Sequence, residues 1–199
     1  MIIKDDVSRI LVGGKKAILV NPPIYDTQYW PRWSQPHGLL KVATWLGKQG
    51  YSDLRLLDCL ATDENRKVPF RRRVALERDN VSRQLYEFGW PLSKLKSEFL
   101  RHAKGEKFRP DEIWITSIMT YWWESTRDVI RLAKQVFGSD CPRILVGGIY
   151  PTLYPEHADE YLSREADNVV IVPGEICPEA ANSWTDLSLY NDDAYKTTP

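Results

Sequence analysis

The sequence predicts a doubly wound α/β domain, and three features carry that prediction. Five short runs are nearly continuous in Val, Ile and Leu, helical patterns lie between them, and long segments rich in proline and aromatic residues follow several of the runs. Strands covered on both faces read as unbroken apolar runs, and strands alternating with helices pair in parallel through right-handed crossovers.

The first strand is AILVN at 17–21. A helix follows, with an apolar stripe of Leu39, Leu40, Val42, Ala43 and Leu46, and Gly50 is placed to end it. The second strand is LRLLD at 54–58. Segment 60–110 breaks the rhythm: it is charged, too long for a simple crossover, and carries amphipathic stretches at 72–88 and 92–104. It is expected to be a helical insertion between strands two and three. The third strand is EIWITS at 112–117, and Ser125 or Thr126 is expected to cap the next helix. The stripe of that helix is Val129, Ile130, Leu132, Ala133, Val136 and Phe137, and Gly138 ends it. RILVG at 143–147 and NVVIV at 168–172 complete the set. Five strands in this pattern suggest the flavodoxin-like (Rossmann-like) order 2-1-3-4-5. The domain is expected over 17–185, after an N-terminal extension at 1–16 and before a linker or truncated tail at 186–199.

Charge and composition narrow the function classes. Lys plus Arg and Asp plus Glu both number 27, so no net field favours nucleic acid or an anionic membrane. The run Arg71-Arg72-Arg73 reads as a solvated helix face or a phosphate contact. No apolar run is long enough for a membrane helix, and Lys4, Asp5, Asp6 and Arg9 interrupt any signal-peptide core. The cytoplasm is the expected compartment. Cys59, Cys141 and Cys177 are widely spaced and form no metal-binding motif with His37, His102 and His157.

Ligands of open parallel sheets bind beyond the C-terminal strand ends. Five segments leave that edge, and four of them, NPPIYDTQYWPRWSQPHG, IMTYWWES, GGIYPTLYPEH and PGEICPE, are longer than ordinary connections and richer in side chains. None is a dinucleotide fingerprint, a Walker loop or a nucleophile elbow, and no histidine is placed to activate Ser117. No catalytic motif is present. The Gly147-Gly148 pair at the fourth strand exit suggests either a tight turn or a large group lying against the chain. Glu124, Glu156 and Glu175 read as helix-start or turn carboxylates.

The order of these motifs resembles a known family. Ser117-Ile118-Met119 and Gly147-Gly148, separated by residues 120–146, resemble the serine and double-glycine halves of the cobalamin-binding domain signature. VNPP at 20–23, PHGLLKVATWL at 36–46, TSIMTYWW at 116–123, GGIYPTLYPEHA at 147–158 and VVIVPGE at 169–175 look like the N-terminal domain of cobalamin-dependent radical S-adenosylmethionine enzymes. The resemblance implies that the nucleotide tail of cobalamin lies beside Gly147 and Gly148 and that Ser117 hydrogen-bonds its benzimidazole. It also implies that Met119, Thr120 and Tyr121, continuing to Trp123, lie under the corrin ring. Tyr150, Thr152, Gly174 and Glu175 would line the pocket or meet corrin amides, with Asn21, Pro22 and Pro23 at the first strand end.

Two departures shape the expectation. The histidine motif that ligates cobalt in other cobalamin domains is missing; Asp26 is present and His37 stands alone, so base-off cobalamin without a protein histidine ligand is expected. The chain also lacks the CxxxCxxC that holds a 4Fe-4S cluster. The cluster, S-adenosylmethionine and the chemistry would then belong to a radical S-adenosylmethionine catalytic domain, in the same full-length chain or a separate subunit. The chain itself would be a non-catalytic, cobalamin-binding cofactor domain, serving methyl transfer or radical rearrangement. The competing expectations are a flavodoxin-like protein-interaction domain with a degenerate site, and a flavin- or nucleotide-binding enzyme with an unrecognised motif.

Overall fold

The computed structural model describes residues 14–28, 35–61, 68–72, 76–78, 81–105 and 108–190. Five strands, β1 (Lys16–Asn21), β2 (Asp53–Asp58), β3 (Glu112–Thr116), β4 (Arg143–Gly147) and β5 (Val169–Ile171), form one parallel sheet in the order β2-β1-β3-β4-β5. This is the flavodoxin-like order expected from the sequence. In register, Asn21 stands beside Asp58, Val20 beside Ile115 and Thr116 beside Gly147.

Alternate residues of each strand feed opposite cores. Ile18, Val20, Ile113, Ile115, Ile144 and Val146 face one side and pack under helices α2 (Leu92–Ala103), α3 (Trp123–Phe137) and α5 (Pro155–Leu162). Ala17, Leu19, Trp114, Leu145 and Val170 face the other, under α1 (His37–Lys48) and the short α6 (Pro178–Ala181). Both faces are covered, which is why the strands carry no polar alternation.

The α1 stripe buries Leu39, Leu40, Ala43 and Leu46 as predicted, and the chain turns at Gly50 with φ +86°. Gly138, at φ +60°, ends α3. The start of α3 differs from expectation. Ser125 and Thr126 lie inside its first turn, both buried, and neither caps it. Ser125 Oγ donates to the Trp122 carbonyl and Thr126 Oγ1 to Ser117 Oγ at 2.9 Å.

The insertion is half helical. Its second part forms α2, but the predicted helix over 72–88 is replaced by short strands at Leu76–Arg78, Val81–Arg83 and Tyr86–Phe88, after another at Phe70–Arg72. Tyr86–Phe88 lies between Phe70–Arg72 and Ile24–Asp26 in an antiparallel three-stranded sheet. Cross-strand contacts decide this: Phe70 stacks on Phe88 at 5.9 Å, and Arg71 pairs with Glu87. Arg71 therefore belongs to a strand and not to a helix face. Ile24–Asp26 likewise turns part of the predicted first loop into strand. The rest of that loop at 29–34, the extension at 1–13 and the tail at 191–199 lie outside the described residues. The chain is described up to Tyr190: a 3-10 turn spans Leu187–Leu189, and the Tyr190 hydroxyl donates to Asp58 Oδ2 at 2.7 Å. Among the described residues, no helix is long and apolar enough to cross a membrane.

Candidate functional site

The glycine pair at the end of β4 has two different explanations. Gly148 sits at φ +108°, and a Cβ there would come within 2.5 Å of the Ser117 carbonyl oxygen. Its conformation and its neighbour both require glycine. Gly147 has neither constraint: a Cβ would meet only the Val172 carbonyl, at an ordinary 3.7 Å. Packing within the protein leaves room for a side chain at Gly147.

That room belongs to a cleft. Between the sheet and the α1–α6 layer lies a cavity of about 320 Å³, walled by Trp114, Thr116, Leu145 and Gly147 on the sheet side. Gly38, Leu39 and Lys41 of α1 face them, and Gly174, Glu175 and Ala181 border the far rim. The pleat explains the wall. Trp114 and Thr116 share one face of β3, Leu145 and Gly147 one face of β4, and register sets Thr116 beside Gly147. The missing side chain at Gly147 leaves a notch next to the Thr116 hydroxyl. Among the described residues, that hydroxyl has no hydrogen-bond partner. Lys41 Nζ donates to the Ala181 carbonyl at 2.9 Å, joining α1 to α6 across one end of the cleft.

Ser117 faces the other way. It is 2 % exposed, its Oγ accepts from Thr126, its N–H donates to the Gly147 carbonyl at 2.8 Å, and its own carbonyl accepts from Tyr150 N at 3.1 Å. With Asn21, Pro22 and Pro23 it borders a separate hollow of about 10 Å³, too small for a base. Asn21 is tied down by a 2.7 Å bond from its Nδ2 to Asp58 Oδ1. Thr116 lines both the cleft and this hollow, whereas Ser117 lines the hollow and not the cleft.

Tyr150 is also turned into the core. It is 1 % exposed, shares a 2.7 Å hydrogen bond with His157 Nδ1, and its phenol is pushed up to about 12 by burial, with Tyr161 adding to the effect. Thr152, in α4 (Ile149–Leu153), bonds to both Gly148 and Gly174. The segment from Met119 to Trp123 is split. Met119 and the buried Trp122 pack with Ile24, Leu60 and Phe88, and Trp122 Nε1 donates to Asp26 Oδ2 at 2.9 Å. Thr120–Trp122 is a 3-10 turn that leaves Tyr121 56 % exposed at the sheet edge.

Neither protein-family models nor curated proteins match the chain.

The remaining candidates fall outside the cleft. His37 is exposed at the start of α1 and does not line it. Glu124 and Glu156 occupy the first turns of α3 and α5, where the helix dipole favours carboxylates. Cys177 packs on the edge of the α1-side core, and burial pushes its thiol up, away from reactivity. Among the described residues, no group of three or more His, Cys, Asp and Glu is placed to hold a metal ion. Sequence reasoning missed Thr116 and the facing residues Gly38, Lys41 and Ala181. Strand parity was the available signal for Thr116, since Ile113 and Ile115 mark one face and Trp114 and Thr116 the other.

Proposed function

We propose that the chain binds cobalamin, base-off, as the N-terminal cofactor domain of a radical S-adenosylmethionine enzyme, and that the nucleotide tail enters the cleft between the sheet and α1. The notch at Gly147 beside the unpartnered Thr116 hydroxyl carries this reading. An apolar slot with one convergent polar group suits a flat, largely apolar base with a hydrogen-bonding nitrogen. A volume of about 320 Å³ is near the lower bound for small-molecule sites, so the tail alone, not the corrin ring, matches it.

In this reading Leu145, Trp114 and Gly147 form the wall, Thr116 supplies the hydrogen bond, and Lys41 and Glu175 flank the rim. The tail then occupies a protein cleft, and no protein histidine near it takes a place on cobalt. Bound cobalamin supplies an organometallic centre for methyl transfer or radical rearrangement once a radical S-adenosylmethionine domain, with its iron–sulfur cluster, is present. This chain binds and orients.

The test is a titration with hydroxocobalamin, followed by visible absorbance and calorimetry, beside cobinamide, which lacks the nucleotide tail. Stoichiometric binding of hydroxocobalamin with a base-off spectrum, and at least tenfold weaker binding of cobinamide, is the expected result. Equal affinity for both would remove the tail from the cleft.

One observation favours a second reading, a protein-interaction domain. Tyr121, Ile149, Leu153 and Tyr154 are 51–60 % exposed near the C-terminal strand ends. A chain that takes up no cobalamin and uses these side chains to contact another protein would fit that reading.

A further inference from the structure

We infer that Thr152 is a positioning residue that ties the two glycine turns of the cleft rim together and thereby sets the affinity of the cleft for its ligand. Its Oγ1 donates to the Gly148 carbonyl at 2.6 Å and accepts from the Gly174 N–H at 2.8 Å. One exposed hydroxyl thus joins turns 26 residues apart in the chain, Gly148 at the end of β4 and Gly174 after β5.

The two turns are held very differently. Gly148 is pressed against the Ser117 backbone, and the preceding Gly147 carbonyl accepts from Ser117 N, so this side is fixed to the sheet. Gly174 has open space around it: a Cβ there would meet nothing within 4 Å. The β4–β5 ladder ends at the Val172 N–H to Val146 carbonyl bond, two residues before Gly174. Between Val172 and Ile176, which pack in the α1-side core, the Thr152 hydroxyl is the group that holds the Gly174 N–H.

Threonine suits the task. Its branched Cβ restricts χ1, and in a helical turn its Oγ1 bonds the carbonyl four residues back, here Gly148. That local bond fixes the direction of the oxygen, whose remaining lone pair meets the Gly174 N–H. Valine has the same shape and neither bond; serine keeps the hydroxyl.

The bearing on cobalamin affinity rests on the reading proposed above, whereas the latch itself does not, and the experiment separates them. Amide exchange at Gly174 is read by NMR in the free full chain for wild type, Thr152→Val and Thr152→Ser, and each is titrated with hydroxocobalamin. A lost neutral hydrogen bond predicts exchange at Gly174 and dissociation constants each raised about five- to tenfold in Thr152→Val, with Thr152→Ser within about twofold of wild type. Unchanged exchange at Gly174 in Thr152→Val overturns the latch. Faster exchange with unchanged affinity overturns the positioning role. Faster exchange in a protein whose wild type takes up no hydroxocobalamin supports the latch and overturns the cofactor reading.

Discussion

One face of β3 carries Glu112 at its start, Trp114 in the middle and Thr116 at its end, and the two ends are built on opposite principles. At the start, Glu112 is buried and accepts from Lys15 Nζ at 2.9 Å, Tyr51 Oη at 2.7 Å, Trp114 Nε1 at 2.9 Å and Arg143. Burial alone would raise its pKa, but the hydrogen bonds from Lys15, Tyr51 and Arg143 outweigh it and hold the carboxyl below its ordinary value. At the other end, the Thr116 hydroxyl finds no partner among the described residues and its neighbour in β4 has no side chain. A closed network stabilises a fold. The notch at Gly147, beside Thr116, is left unfilled by the protein's own side chains.

Three substitutions sharpen that contrast. The largest effect belongs to Gly148→Ala, which puts a Cβ 2.5 Å from a backbone oxygen at positive φ. Strain and overpacking together predict a loss of about 3–5 kcal/mol in denaturant unfolding. A loss below about 1 kcal/mol would mean that the turn relaxes freely and that Gly148 is not a structural glycine.

Glu112→Gln comes next. It leaves Lys15 and Arg143 facing a neutral amide, and breaking a buried ion pair predicts about 2–4 kcal/mol of destabilisation at pH 7. The sign with pH follows from the depressed carboxyl. Its contribution is present above the unfolded value of 4.5 and is lost as pH falls through the lower folded value. Melting temperature against pH should therefore fall steeply below about pH 4.5 in wild type and more shallowly in Glu112→Gln. Parallel curves would show that Glu112 does not titrate differently in the folded chain.

The smallest stability effect belongs to Gly147, and this difference between adjacent glycines is what the sequence could not show. A glycine pair is compatible with a turn or a ligand until φ and neighbouring atoms are known. Strand positions were legible because apolar runs covered on both faces have one simple cause; β4 occupies 143–147 as predicted. The insertion was misread because amphipathic charge patterns at 72–88 also suit short hairpins, and the Phe70–Phe88 and Arg71–Glu87 pairs that decide the matter join residues far apart in the chain. The resemblance names Ser117, whereas the residue of this strand end that lines the cleft is Thr116. Hydroxyl chemistry is visible in a sequence, but the face on which it falls depends on where the strand starts and stops.

The most direct test of the cleft is Gly147→Leu, measured for stability and for hydroxocobalamin binding in the same preparation. The cleft has space for the new side chain, so unfolding free energy should stay within about 1 kcal/mol of wild type. Binding should weaken by at least about a hundredfold, because the leucine occupies the notch beside Thr116. A stable Gly147→Leu protein that still binds hydroxocobalamin like wild type would contradict the assignment of the nucleotide tail to this cleft.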